Sequence, residues 1–266
     1  MNEDPAQPSS FDPDMEGGLG GTVLRGAGIA AAGHVLSQVL TLAAYLALAR
    51  LISPADFGQF AAASILIAAG SLFTESGMLA ALIHRRDRLE EAASTAFVAT
   101  ARAGIGFALL ALALSPVVGS FFGSDRITTL SAAVSGILFV RALPVVPSAL
   151  MQRRFSILRR AVAEPLAVLA FGVSATIAAV HDLGPWALVI GYYASAATDA
   201  IASWALVRWR PKFGKASYGM WRELVAYGRH VLTGTAILHL SDLVPTALLG
   251  RYVSAGALGQ YRYANR

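Results

Sequence analysis

The sequence predicts an all-α polytopic membrane bundle: a six-helix N-terminal lobe followed by the first helix of a second, parallel-repeat lobe. Three observations predict it. Apolar residues fall in blocks long enough to cross a bilayer. Basic residues collect in every second loop. A short motif recurs late in the chain with its residues in the same order. The composition agrees: mean hydropathy is +0.58 and charged residues make up 14% of the chain, against about 25% in a soluble domain.

About 20 apolar residues cross the hydrocarbon. Blocks of that length occupy Gly28–Ala49, Phe60–Ile83, Ala92–Leu114, Ile127–Leu150, Val162–Val180, Trp186–Val207 and Leu224–Leu249. Ahead of them, residues 1–21 are polar, acidic and rich in Pro, Gly and Ser, which predicts a disordered tail. That stretch lacks the basic start and apolar core of a signal peptide. The six-helix lobe is expected over 22–210 and the start of the second lobe over 211–266.

The loop charges fix an orientation. Arg85, Arg86 and Arg88 follow the second block; Arg153, Arg154, Arg159 and Arg160 follow the fourth; Arg208, Arg210, Lys212, Lys215 and Arg222 follow the sixth. The intervening loops hold Arg50 and Arg126, and the His181–Pro185 turn holds no Lys or Arg. Basic loops face the cytoplasm, so the N-terminus is expected there.

The repeat pairs Arg50-Leu51-Ile52-Ser53-Pro54-Ala55-Asp56-Phe57-Gly58-Gln59-Phe60 with Arg251-Tyr252-Val253-Ser254-Ala255-Gly256-Ala257-Leu258-Gly259-Gln260-Tyr261. Arg, Ser, Gly and Gln coincide, an aromatic follows Gln in both, and Gly33 and Gly234 keep the same offset. Both copies follow helices running in one direction, which makes a parallel repeat of the kind transporters use.

Prolines mark the breaks. Pro54 and Gly58 serve a reversal. Pro144 and Pro147 interrupt the fourth span, each removing a helical donor. Such kinks persist in membranes where neighbours satisfy the freed carbonyls. Pro185 suits the first turn of the sixth span. Runs such as Ala61-Ala62-Ala63-Ser64 let helices approach closely. Tyr218–Tyr227, with Trp221, Arg222 and Glu223, is expected as an interfacial lead-in to the seventh span.

Several function classes are excluded. There is no cysteine, hence no disulfide or thiolate metal site. The five histidines show no metal spacing, and no cofactor is expected. Every loop is too short for a catalytic domain, so no enzyme is expected. Asp12-Pro13-Asp14 lies in a Pro-rich tail, not beside a strand as a glycosyltransferase Asp-x-Asp motif would. The net charge of +5 sits in loops of one face, not in a nucleic-acid surface.

Charged side chains inside a bilayer are expensive and mark candidate sites. Glu75 in the second span and Arg102 in the third agree in depth within roughly 3 Å. They are expected either as an ion pair or as cavity residues. Arg141 lies mid-span just before the proline kink. It is either neutralised within the bundle or an anion-binding group, since guanidinium matches phosphate bidentately and keeps its charge when desolvated. Glu75 and Asp199 are its candidate counter-ions, and Asp199 and Asp242 are candidate coupling residues. Glu164 is expected to pair with Arg160 at the interface, and His34 to be a packing histidine.

These residues carry a family resemblance. Leu48-Ala49-Arg50-Leu51-Ile52-Ser53-Pro54-Ala55-Asp56-Phe57-Gly58 resembles the signature after the first helix of the Wzx-type polysaccharide-biosynthesis flippases, within the multidrug/oligosaccharidyl-lipid/polysaccharide exporter superfamily. Gly77-Met78-Leu79-Ala80-Ala81-Leu82-Ile83 is similar to that family's second-helix end, and Leu224-Val225-Ala226-Tyr227-Gly228 to its lead into helix 7. Asp242, Leu249-Gly250-Arg251, Leu258-Gly259-Gln260-Tyr261 and Ala264-Asn265-Arg266 resemble its helix 7–8 junction. The resemblance implies a bacterial inner-membrane transporter that flips undecaprenyl-pyrophosphate-linked oligosaccharide for lipopolysaccharide, capsule or exopolysaccharide assembly. It implies membrane lipids, a polysaccharide polymerase and export machinery as partners. Arg141 and Arg102 become candidates for the diphosphate, with Glu75, Asp199 and Asp242 as coupling or counter-ion residues. The family pattern has two lobes, and the chain departs from it in carrying one lobe and the start of the next. The alternatives are a cation-coupled multidrug exporter of the same superfamily, an integral-membrane glycosyltransferase and a non-transporting membrane partner.

Overall fold

Ser53 sits in extended backbone before Pro54, and its Oγ accepts the backbone N–H of Asp56 at 3.2 Å while donating to Asp56 Oδ2 at 2.8 Å. This is a helix N-cap with proline at the first position, where its missing N–H costs nothing. The first copy of the motif thus begins a helix. A computed structural model describes residues 13–68, 70, 81–83, 87–153, 157–207, 209–226 and 228.

The helices are α1 (Pro13–Leu51), α2 (Pro54–Ala63), α3 (Leu89–Phe122), α4 (Asp125–Ala142), α5 (Val145–Arg153), α6 (Ile157–Val180) and α7 (Pro185–Val207). A 3-10 turn follows at Phe213–Lys215, and 218–226 are helical. All regular elements among the described residues are helices. Among the described residues, four segments are long and apolar enough to span a membrane: Gly28–Leu51, Leu89–Phe122, Asp125–Arg153 and Val162–Val180. Large apolar side chains are exposed along α1, α3 and α6, as lipid-facing helices require. The protein is an all-α membrane helix bundle.

Three differences from the expected spans have local causes. α1 begins at Pro13, so 13–21 are helical where a tail was expected; proline suits that first turn. α3 runs past Pro116 to Phe122. Pro116 removes the donor for the Leu112 carbonyl, and Ser115 Oγ supplies one at 2.7 Å. The helix then ends at Gly123, φ +65°, with Gly123 N–H donating to Ser120 O at 3.3 Å and Ser124 N–H to Gly119 O at 3.0 Å. These are the paired bonds of a Schellman close. The fourth span divides into α4 and α5 at Leu143–Pro144, as its prolines require.

α3 packs on α4, α6 on α7, and α1 on α6, with α4 and α7 joining the two sets; α2 lies against α4 and α7. The α3 side of its seam is a stripe of small residues, with Ala96, Thr100, Gly104, Ala111, Ser115 and Gly119 all buried. A methyl added at Gly104 would strike Ala142 Cβ, and one at Gly119 would strike Thr128. Without hydrophobic drive between helices in lipid, such close backbone packing is what binds them. The core holds Leu48, Leu130, Val134, Ile137, Leu138 and Leu188. A second cluster around Leu82, Val146, Leu150, Met220 and Leu224 docks the 218–226 helix.

The ends of the bundle differ in charge. At one end the turns near 53, 124 and 184 meet: Arg126 Nη1 lies 3.4 Å from Asp56 Oδ1, beside Gly184 at φ +54°. At the other end Lys212 and Lys215 reach Glu90 at 2.5 and 2.6 Å, and Arg88 lies 3.5 Å from Glu91 and 3.7 Å from Glu223. The loops holding Arg88 and Lys212–Lys215 therefore share one end of the bundle. Glu75, Asp242, Arg251 and most of the expected seventh span lie outside the described residues.

Candidate functional site

The break between α4 and α5 opens a cavity of about 370 Å³ bounded by α6 and α7. Arg141 enters it from the last turn of α4, Glu164 from α6 and Asp199 from α7. Ser148, Gln152, Ser195 and Ser203 add polar groups, while Pro144, Ala163, Ala167 and Ala196 keep the walls small. The cavity exists because the prolines turn the chain there and small residues leave the space unfilled.

Arg141 is half-buried. Its guanidinium carbon lies 5.9 Å from the centroid of the Tyr192 ring, within cation–π range. Tyr192 is itself held on several sides. Its hydroxyl is 3.2 Å from that of Tyr45, and its ring lies 5.3 Å from Phe171 at 83° and 5.1 Å from Phe60. Three helices, α1, α2 and α6, thus fix the α7 ring that supports the arginine.

The carboxylates have partners of their own. Ser203 Oγ donates to Asp199 Oδ1 at 3.5 Å. Glu164 Oε1 lies 3.4 Å from His34 Nδ1, joining α6 to α1. Arg141 and the surrounding hydroxyls can solvate an anion. Guanidinium offers phosphate a bidentate donor pair.

The structure brings Arg141 and Asp199 to the walls of one cavity; Glu75, the other partner that depth along the helices had offered, lies outside the described residues. Arg102 lies elsewhere, in a cavity of about 910 Å³ between α3 and residues 216–221. Glu164 lines the Arg141 cavity and lies 3.4 Å from His34 Nδ1; the side chain of Arg160, its expected partner, lies outside the described residues. Helical spacing carries that signal, since Glu164, Ala167 and Val168 share a face at i, i+3 and i+4. Tyr192 was not singled out, yet Tyr192, Ser195, Ala196, Asp199 and Ser203 form one stripe of α7 by the same rule. Among the described residues no three His, Asp or Glu gather as metal ligands.

The comparisons bear on what this cavity serves. A family model described as "Polysaccharide biosynthesis protein" matches residues 47–266. The succinoglycan biosynthesis transport protein ExoT of Rhizobium meliloti (strain 1021) is 24% identical over 233 residues, covering 82% of this chain and 44% of the relative. The teichuronic acid biosynthesis protein TuaB of Bacillus subtilis (strain 168) is 25% identical over 193 residues, covering 71% of this chain and 40% of the relative. The chain spans less than half the length of either relative. No solved structure gives a significant match. The family match runs from the last turn of α1 to the final residue, and on that ground the chain belongs to the family of polysaccharide biosynthesis proteins.

Proposed function

We propose that this chain is the substrate-handling lobe, 22–210, and the start of the second lobe, 211–266, of a flippase for undecaprenyl-pyrophosphate-linked oligosaccharide. It would work in the bacterial inner membrane with its N-terminus in the cytoplasm. The observation that carries the reading is Arg141, braced on Tyr192 beside a polar cavity between α4 and α7 in a polysaccharide biosynthesis protein. A diphosphate must pass about 30 Å of hydrocarbon. An arginine that stays charged without bulk water can offset the lost hydration of its phosphoryl oxygens. Asp199 would orient the guanidinium when the cargo is absent.

A second reading, a cation-coupled multidrug exporter, draws support from Asp199 and Glu164 in the same cavity. The two readings differ in cargo. A chimaera in which this chain replaces the matching segment of the succinoglycan transport protein would be reconstituted in vesicles. Lipid-linked oligosaccharide should become accessible to an external glycosidase, and Arg141→Ala should stop this at equal protein level. Transport of cationic dyes but not of the glycolipid would overturn the flippase reading and favour the exporter.

A further inference from the structure

Arg102 and Arg141 line different cavities. On α3 the exposed large apolar side chains start at Ile105 and continue through Leu109, Leu112 and Val117 to Phe122. At 1.5 Å per residue that face is about 26 Å long, close to the roughly 30 Å of a hydrocarbon core. Arg102 precedes it by one helical turn, so its guanidinium sits at the headgroup boundary, within snorkelling reach. The turns before it carry Glu90, bound by Lys212 and Lys215 outside the apolar zone.

The opposite wall of the Arg102 cavity is equally suited to that boundary. Ser217 N–H donates to Thr95 Oγ1 at 3.1 Å and clips residues 216–221 to α3. Tyr218 and Trp221 stack with centroids 5.3 Å apart and are 77% and 37% exposed. Exposed Tyr and Trp at such a level form the interfacial aromatic belt. Among the described residues the cavity lining includes Arg102 and no carboxylate, and it reaches Ile105 at the start of the exposed α3 face.

We propose that this cavity binds the phosphate headgroup of an anionic membrane phospholipid, with the acyl chains lying along the Ile105–Phe122 face of α3. The guanidinium donates to the phosphate, Tyr218 and Trp221 flank the glycerol region, and the lipid ties the 209–226 segment to α3. The inference is independent of the flippase reading, because the site faces the bilayer and lies apart from the Arg141 cavity.

Native mass spectrometry of the purified full chain, titrated with phosphatidylglycerol, tests it. Wild type and an Arg50→Ala control at the opposite end should retain one lipid at matched occupancy. Arg102→Ala should need about tenfold more lipid, the loss expected for one charge-assisted contact. In wild type, a photoactivatable phosphatidylglycerol should crosslink to the 95–105 and 216–221 peptides, a readout that needs no variant. Equal retention by wild type and Arg102→Ala, or crosslinks confined to other helices, would overturn the proposal. Displacement of the lipid by equimolar undecaprenyl diphosphate would also overturn it and make the cavity a cargo site. Displacement by inorganic phosphate alone would overturn it in favour of a bare anion site.

Discussion

Trp204 donates its indole Nε1–H to the carbonyl of Leu143 at 3.2 Å, the acceptor that Pro147 leaves without its helical donor. A proline in a membrane helix frees the carbonyl four residues earlier, and lipid cannot hydrogen-bond it. The chain answers this in two ways. On α3 a neighbouring hydroxyl, Ser115, serves the carbonyl freed by Pro116. At the α4–α5 break the donor comes from α7. The broken span is thereby fastened to α7 beside the cavity that holds Arg141 and Asp199.

Trp204→Phe should lower stability by about 1–3 kcal/mol, the cost of a buried acceptor left unpaired. Pro147→Ala restores a backbone N–H at that position. In the Pro147→Ala background the Trp204→Phe penalty should largely vanish, which thermal melts of the four proteins in detergent would reveal. Equal penalties in both backgrounds would show that the tryptophan acts through packing alone, for its ring also contacts Phe97 and Trp209.

The Ser53–Asp56 motif holds the far end of the bundle together. Ser53→Ala should cost about 1 kcal/mol through loss of the cap. Gly184→Ala should cost at least about 1 kcal/mol, because φ is +54° and the new methyl would lie 3.3 Å from both Arg126 Nη2 and Asp56 Oδ2. Melting of the single and double variants checks both values; a neutral Gly184→Ala would remove the turn from this account.

The α3–α4 seam depends on small residues. Gly104→Leu should destabilise by about 1–3 kcal/mol or more through overpacking, since even a methyl there meets Ala142 and lies 3.4 Å from Phe139 Cα. Gly106→Leu, where a methyl meets nothing within 4 Å, is the matched control. Loss of folded protein for the first variant and retention of the second is the expected result in an expression and melting assay.

Much of this architecture is legible in the chain itself. Block hydropathy locates the spans because lipid demands long apolar helices, and alternating loop charge sorts their ends. The Ser53–Gly58 stretch is legible as the break after the first span, but not as the capped helix that starts at Pro54. Three further things resist such reading. The length of α3 depends on how Ser115 deals with Pro116. The level of Arg102 depends on which residues of α3 face outward. Glu164 meets His34, on a helix far away in the chain. Each is decided by neighbours in space. Depth alone offered Arg141 both Glu75 and Asp199 and could not choose between them, and the Tyr192 brace required the packing of α1, α2 and α6 around one ring.

The central claim is that the Arg141 cavity takes a lipid-borne diphosphate. Its most direct test is equilibrium binding of an undecaprenyl-diphosphate oligosaccharide to the purified chain. Arg141→Ala should weaken binding by about tenfold or more, the loss of a charged bidentate contact. Arg102→Ala should leave it unchanged. Equal affinity of wild type and Arg141→Ala, both folded, would contradict the account.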